Sequence, residues 1–190
     1  MSGIIGGAGS KSGVIGTSSG FVEMVDQWRQ TIEIATYGDV KILGKDTVLE
    51  RMDTFGMGDG TNSIIGGGVK MSLNTTYGVW TFPLTGVYNC HCTARAFNAT
   101  TTPVLNLYTR TYTILNWDGS SGTENIVGYA GGSAISQYSP TMARSDFLFK
   151  VENTSTHVVK WDLVTGENAY IEANTNLNYT YFIFTRLANL

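Results

Sequence analysis

Gly16-Thr17-Ser18-Ser19-Gly20 matches the G-x-S-x-G string of a serine nucleophile elbow. That elbow works because a strand-to-helix turn forces the serine outward beside an oxyanion hole, and here the string lies in a glycine-rich block with no strand before it. Gly9-Ser10-Lys11-Ser12 is similar to the end of a phosphate-binding loop, but Ser10 stands where that loop needs a glycine before its lysine. His91 and His157 are the only histidines, and neither has a second histidine or a carboxylate at a metal-ligand spacing. Cys90-His91-Cys92 cannot aim three ligands at one ion if it lies in a strand, because successive side chains point to opposite faces. The same geometry puts Cys90 and Cys92 side by side on one face, a poor spacing for a relaxed disulfide, so buried thiols are expected. Asp46, Asp53 and Asp59 share a turn-rich region and could collect a hard cation such as calcium, with only their proximity to support it. No catalytic residue, metal ligand or cofactor site is assigned.

The elements that would position such groups follow from composition. Charged residues make up 14% of the 190 residues and the net charge is -3, while 23 glycines are present. Thr, Asn, Ser and Gly therefore supply the hydrophilicity, which suits strands with neutral outer faces and turn-rich connections. The chain has no basic footprint for nucleic acid. It has no apolar run long enough to insert in a membrane and no basic segment ahead of its N-terminal apolar stretch, so synthesis in a cytoplasm is expected. The sequons at Asn74, Asn98, Asn153 and Asn178 are then ordinary polar composition.

Residues 1–20 form a block of their own, rich in glycine and serine, with one lysine and no acidic or aromatic residue. Ser2-Gly3-Ile4-Ile5-Gly6 recurs as Ser12-Gly13-Val14-Ile15-Gly16. A plain flexible linker needs no isoleucines, so the block reads as a peptide that orders on docking, with a disordered tail as the bland alternative. From residue 21 to 190 strand signals accumulate. Gln30, Ile32 and Ile34 alternate with their neighbours, and Val79–Phe82 leads through Pro83-Leu84-Thr85-Gly86 into Val87–Phe97. Further runs are Val104–Leu115, Ile126–Tyr129, Phe147–Val151, Val158–Val164, Tyr170–Glu172 and Tyr179–Leu187. Asn116-Trp117-Asp118-Gly119, Gly131-Gly132-Ser133, Glu152-Asn153-Thr154 and Thr165-Gly166-Glu167-Asn168 read as turns. Glu23–Thr31 could make a helical turn. The whole predicts an all-β antiparallel sandwich.

The faces carry more than the count. In Val87–Phe97, Tyr88, Cys90, Cys92, Ala94 and Ala96 form a core face, and Asn89, His91, Thr93 and Arg95 a wet one. The last strand differs: Tyr179, Tyr181, Ile183 and Leu187 share one side and Phe182 and Phe184 the other. A strand apolar on both sides must be covered on both, and a symmetric subunit contact is the economical cover.

Val25-Asp26-Gln27-Trp28-Arg29-Gln30-Thr31, Leu49-Glu50-Arg51-Met52-Asp53-Thr54, Gly66-Gly67-Gly68-Val69-Lys70-Met71-Ser72 and Gly78–Tyr88 occur in that order, and the chain closes on Asn178–Leu187. Together they resemble tumour necrosis factor-like jelly-roll proteins, related in form to the complement globular head, that marine bacteriophages encode. The opening residues also look like the N-terminal tag of marine phage virion proteins. The resemblance implies a jelly-roll homotrimer with its last strand near the threefold axis and Tyr179, Tyr181, Phe182 and Phe184 at the interface. It implies a virion-anchoring peptide at 1–20, with Ile4, Ile5, Lys11, Val14 and Ile15 in contact with the capsid, the portal or tail, or a fibre adaptor. The expected role is a short fibre, head fibre or decoration knob on the virion surface. The alternative is a tail-fibre tip that binds a host glycan, with Trp117, Tyr129 and Tyr138 as stacking groups. An enzyme such as a glycan hydrolase would need two facing carboxylates, and no such pair stands out.

Overall fold

The computed structural model describes residues 24–36, 38–52, 69–98, 105–134, 139–166, 169–175 and 177–190. The expected boundary after residue 20 and the anchoring residues Ile4, Ile5, Lys11, Val14 and Ile15 lie outside them. The described residues contain no helix. Their strands are β1 (Met24–Gln30), β2 (Ile34–Ala35), β3 (Lys41–Ile42), β4 (Leu49–Arg51), β5 (Ser72–Asn74), β6 (Val79–Thr81) and β7 (Gly86–Asn98). The second half adds β8 (Leu105–Leu115), β9 (Thr123–Ala134), β10 (Pro140–Val151), β11 (Val158–Thr165), β12 (Ala169–Ile171) and β13 (Tyr181–Ala188). Every ladder is antiparallel.

Two sheets result. The seven-stranded sheet runs β2-β12-β7-β13-β1-β4, and β10 pairs with the side of β7 opposite β13. The six-stranded sheet runs β5-β6-β11-β8-β9, with β3 on β11 beside β6. Alternation places the core between them. Tyr88, Cys90, Cys92, Ala94 and Ala96 of β7 are fully buried, as their period of two predicts. Trp80 of β6 and Trp161 of β11 reach across from the other sheet to Phe182 and Phe184 of β13. Ring centroids lie 4.9 Å apart for Trp80 and Phe182, 5.3 Å for Trp161 and Phe182, and 5.6 Å for Trp161 and Phe184. Each such side chain contributes about 1.5–3 kcal/mol by leaving water, and each well-placed ring pair about 0.5–1.5 kcal/mol more.

Three sequence expectations change here. Glu23–Thr31 is not a helical turn: Met24–Gln30 is a strand between β13 and β4, because Met24, Asp26 and Trp28 fall on the core side at a period of two. Gly131-Gly132-Ser133 is not a turn but lies inside β9. A Cβ on Gly132 would sit 2.5 Å from Thr141 Oγ1 and 2.7 Å from the Met142 carbonyl oxygen of β10, so the missing side chain admits close approach of the two sheets at this edge. Phe182 and Phe184, expected at the trimer interface, point into the chain's own core. Both have no exposed surface within the single chain and are used up in its own core.

The corner before β7 forms as its residues predict. Pro83 stands between β6 and β7, Gly86 opens β7, and the Tyr88 hydroxyl donates to the Leu84 carbonyl at 2.8 Å. On β1, Asp26 is fully buried and accepts from Arg51 Nε at 2.9 Å and from the Met71 amide at 2.8 Å. The Arg51 guanidinium also lies 4.4 Å over the Trp28 ring. This joint ties β1, β4 and the entry to β5 together across long sequence separations.

Two predictions follow from this packing. Gly132→Val should cost about 1–3 kcal/mol by overpacking, lowering Tm by roughly 5 °C in a calorimetric melt; an unchanged Tm would show that the two sheets part freely at this edge. The Cys90 and Cys92 thiols are pushed far up by burial. An aromatic disulfide reagent should therefore label neither in the native protein and both in denaturant.

Candidate functional site

The outward face of the seven-stranded sheet follows from the register. Arg29, Tyr181, Thr93 and Arg144 form one row across β1, β13, β7 and β10. Gln27, Ile183, His91 and Asp146 form the next, and Val25, Thr185, Asn89 and Leu148 the third. On β10, Met142 and Leu148 are 62% and 67% exposed. Val25, Tyr181 and Ile183 are half-buried. The face thus carries large apolar groups beside charges that are ion-paired within the chain, Arg29 with Glu50 and Arg144 with Asp146.

Its polar members are largely satisfied within the chain. His91 is buried although it points outward, which corrects the expectation of a wet residue. Its ring packs 5.3 Å from that of Tyr181, and Tyr181 and Asp146 flank it from neighbouring strands. His91 Nδ1 lies 2.6 Å from Asp146 Oδ1, and Nε2 lies 2.8 Å from Thr93 Oγ1. Partial burial works against ionisation of Asp146, but hydrogen bonds from Arg144 and His91 outweigh it and hold the carboxyl below its usual range. An ionised carboxylate can only accept, so Nδ1 carries its proton toward Asp146. Arg29 donates to Glu50 Oε1 at 2.7 Å. Arg95 lies between the Tyr179 ring, at 4.3 Å, and Glu172, at 2.5 Å.

The residues predicted from sequence are distributed as follows. Tyr181 is on the outward face, and Tyr179 lies just before β13 under Arg95. Trp117 and Tyr129 lie on the far side of the molecule, on the outer face of the six-stranded sheet. Trp117 packs edge-on against Tyr77 with centroids 5.5 Å apart. Tyr129, 63% exposed, lies 5.3 Å from Tyr108 and pairs with Arg110 in the ladder. Four rungs of β8 separate Ile114, which neighbours Trp117, from Arg110, so the two aromatic groups are about 14 Å or more apart. They share a face without forming one site. Tyr138 lies outside the described residues. Sequence reasoning missed Met142, Leu148, His91 and Asp146 as members of one patch; the alternation of β10 from Pro140 to Val151 was the available signal for the first two.

Among the described residues, no three His, Cys, Asp or Glu side chains gather closely enough to hold a metal ion. Asp53 and Asp59 lie outside the described residues, and Asp46 accepts from the Ile42 amide at 2.9 Å.

No family model matches the chain, and no curated protein matches it. Solved structures do. The Eiger TNF of S. frugiperda superposes with a TM-score of 0.56 at 8% identity over 87% of this chain and 93% of that one. Murine APRIL, in a structure at pH 8.5, superposes with a TM-score of 0.53 at 13% identity over 86% of this chain and 98% of that one. At these identities the likeness speaks for the fold, and it agrees with two antiparallel sheets in this order: the chain has the tumour necrosis factor-like jelly-roll fold.

Proposed function

We propose that this chain is a non-catalytic structural protein of a bacteriophage virion. It forms a homotrimeric knob, as a short fibre, head fibre or capsid decoration, attached through residues 1–20 to the capsid, the portal or tail, or a fibre adaptor. The observation that carries the assembly half of this reading is the outward face of the seven-stranded sheet, where Val25, Tyr181, Ile183 and the exposed Leu148 share a surface whose charges, Arg29, Arg144 and Asp146, are ion-paired. A face of this kind is covered in most soluble proteins, and a closed ring of identical copies covers it without leaving edges. Tyr181 and Ile183 take the interface role; Phe182 and Phe184 do not. The virion half rests on the resemblance of residues 1–20, and of the segments from Val25 to Leu187, to phage virion proteins.

Two measurements test the halves separately. Ile183→Asp, which sets a carboxylate beside His91 and Asp146, should turn a trimer into a monomer in sedimentation equilibrium while the near-ultraviolet circular dichroism is retained. A wild-type monomer, or a variant that stays trimeric, removes this face from assembly. Deleting residues 2–16 should leave a soluble trimer that no longer enters particles. Unchanged incorporation would overturn the anchor.

A further inference from the structure

The outer face of the six-stranded sheet carries a shallow, open cleft of about 120 Å³ at the end where Trp117 meets Tyr77. That lies well below the roughly 300–1,000 Å³ usual for sites that enclose a whole ligand, so the cleft seats one side of a single small ring and leaves the rest in solvent. Its floor is apolar, with Ile42, Val79 and Ile114; Val79 and Ile114 join Val158 in a second cluster, separate from the main core, on which Tyr77 and Trp117 pack. Its rim is polar, with Lys45, Ser120, Glu124 and Lys160.

The aromatic wall is held in place before any ligand arrives. The Trp117 amide donates to the Thr156 carbonyl at 3.0 Å. Next to it, Asp118 accepts from the amides of Ser120 and Ser121, both at 2.8 Å, and from their hydroxyls at 2.9 and 3.0 Å. These bonds hold the Asp118 carboxyl well below the usual range and fix the loop. Asn116 takes the left-handed conformation, φ 53°, that turns the chain into this loop. Gly122 lets it fold back: a Cβ there would sit 2.6 Å from Ile114 Cγ2 and 2.8 Å from the Leu115 carbonyl oxygen. A wall ordered in advance carries no ordering cost on binding.

The rim decides the chemistry of the occupant. Lys160 Nζ lies 2.6 Å from Glu124 Oε1 and 4.6 Å from the Tyr112 ring centroid. A purely apolar occupant would strip water from this ion pair without replacing it. An anion would meet the Glu124 carboxylate. A ring of neighbouring hydroxyls fits both, because each hydroxyl donates to a carboxylate and accepts from an ammonium. Ser120 donates its proton to Asp118, so its oxygen is left to accept. The C–H face of such a ring lies flat on an aromatic group. From these observations we infer that the cleft binds a neutral pyranose, the end residue of a glycan, with Trp117 and Tyr77 as the stacking wall and Glu124, Lys160, Lys45 and Ser120 as the hydroxyl contacts. The inference does not depend on the virion reading. The cleft lies on the sheet opposite the proposed trimer face, so assembly leaves it open.

The test is saturation-transfer NMR on the full chain with methyl glycosides of glucose, galactose and mannose, with N-acetylglucosamine, and with inorganic phosphate as the anion probe. At least one sugar should give a saturable signal with Kd of about 1–10 mM. Trp117→Ala should abolish the signal. Because Trp117 also packs on Ile114, the exposed Glu124→Gln serves as the second variant; it should weaken binding about tenfold with an unchanged Tm. Silence from every sugar up to about 50 mM, a signal untouched by both variants, or a response to phosphate alone would each overturn the inference.

Discussion

The contact on which the rest of this protein depends is the meeting of Trp80 and Trp161 from one sheet with Phe182 and Phe184 from the other. Trp80 and Trp161 cross at 81° with centroids 5.2 Å apart, and both phenylalanines wedge against them. All four are fully buried. In a strand the side-chain period is two, so fixing one large residue inside fixes the face of every other residue on that strand. Once Phe182 and Phe184 point inward, Tyr181, Ile183 and Thr185 must point outward. Through the ladders to β1, β7 and β10 the same choice sets the whole outer face.

That coupling explains the scarcity of charge better than composition does. The outer face of the seven-stranded sheet binds its few polar groups to one another, His91 to Asp146 and Thr93, Arg29 to Glu50, Arg95 to Glu172 and Tyr179. The apolar Leu148 and the Arg144–Asp146 ion pair remain accessible on it. The opposite sheet handles its outer face differently. Arg110 grips Asp162 with two nitrogens at 2.8 and 2.5 Å, and Tyr112 adds its hydroxyl at 3.0 Å. The Ile114, Val79 and Val158 cluster lies under the Trp117 loop. One face sets ion-paired charges among apolar groups, and the other presents a loop-walled cleft.

Much of the fold was legible in the residues. The long strands β7, β8 and β11 were placed within a few positions by their alternation, and β13 by its unbroken aromatic and β-branched run. The corner at Pro83 and Gly86 was legible because proline and glycine have narrow backbone roles. The short strands β2 to β5 were not, since two or three residues carry no periodic signal and pair only because β12, β11, β1 and β6 lie beside them. Gly131 and Gly132 read as a turn because the close approach of β10 that needs them cannot be seen along the chain. Of the candidate sites, Trp117 was found as an isolated aromatic group, whereas Tyr77, Glu124 and Lys160 became its neighbours only through pairing at separations of tens of residues.

By itself, then, the amino-acid order determined that this would be an all-β sandwich of neutral strands, with Tyr88, Cys90, Cys92, Ala94 and Ala96 inside, because burial and a period of two are local properties. It could also say that the final strand was apolar on both sides. Which side was the core and which the outer surface only the tertiary structure decided, since that choice rests on the partners offered by the opposite sheet, and the two tryptophans that meet Phe182 and Phe184 come from strands distant in the chain.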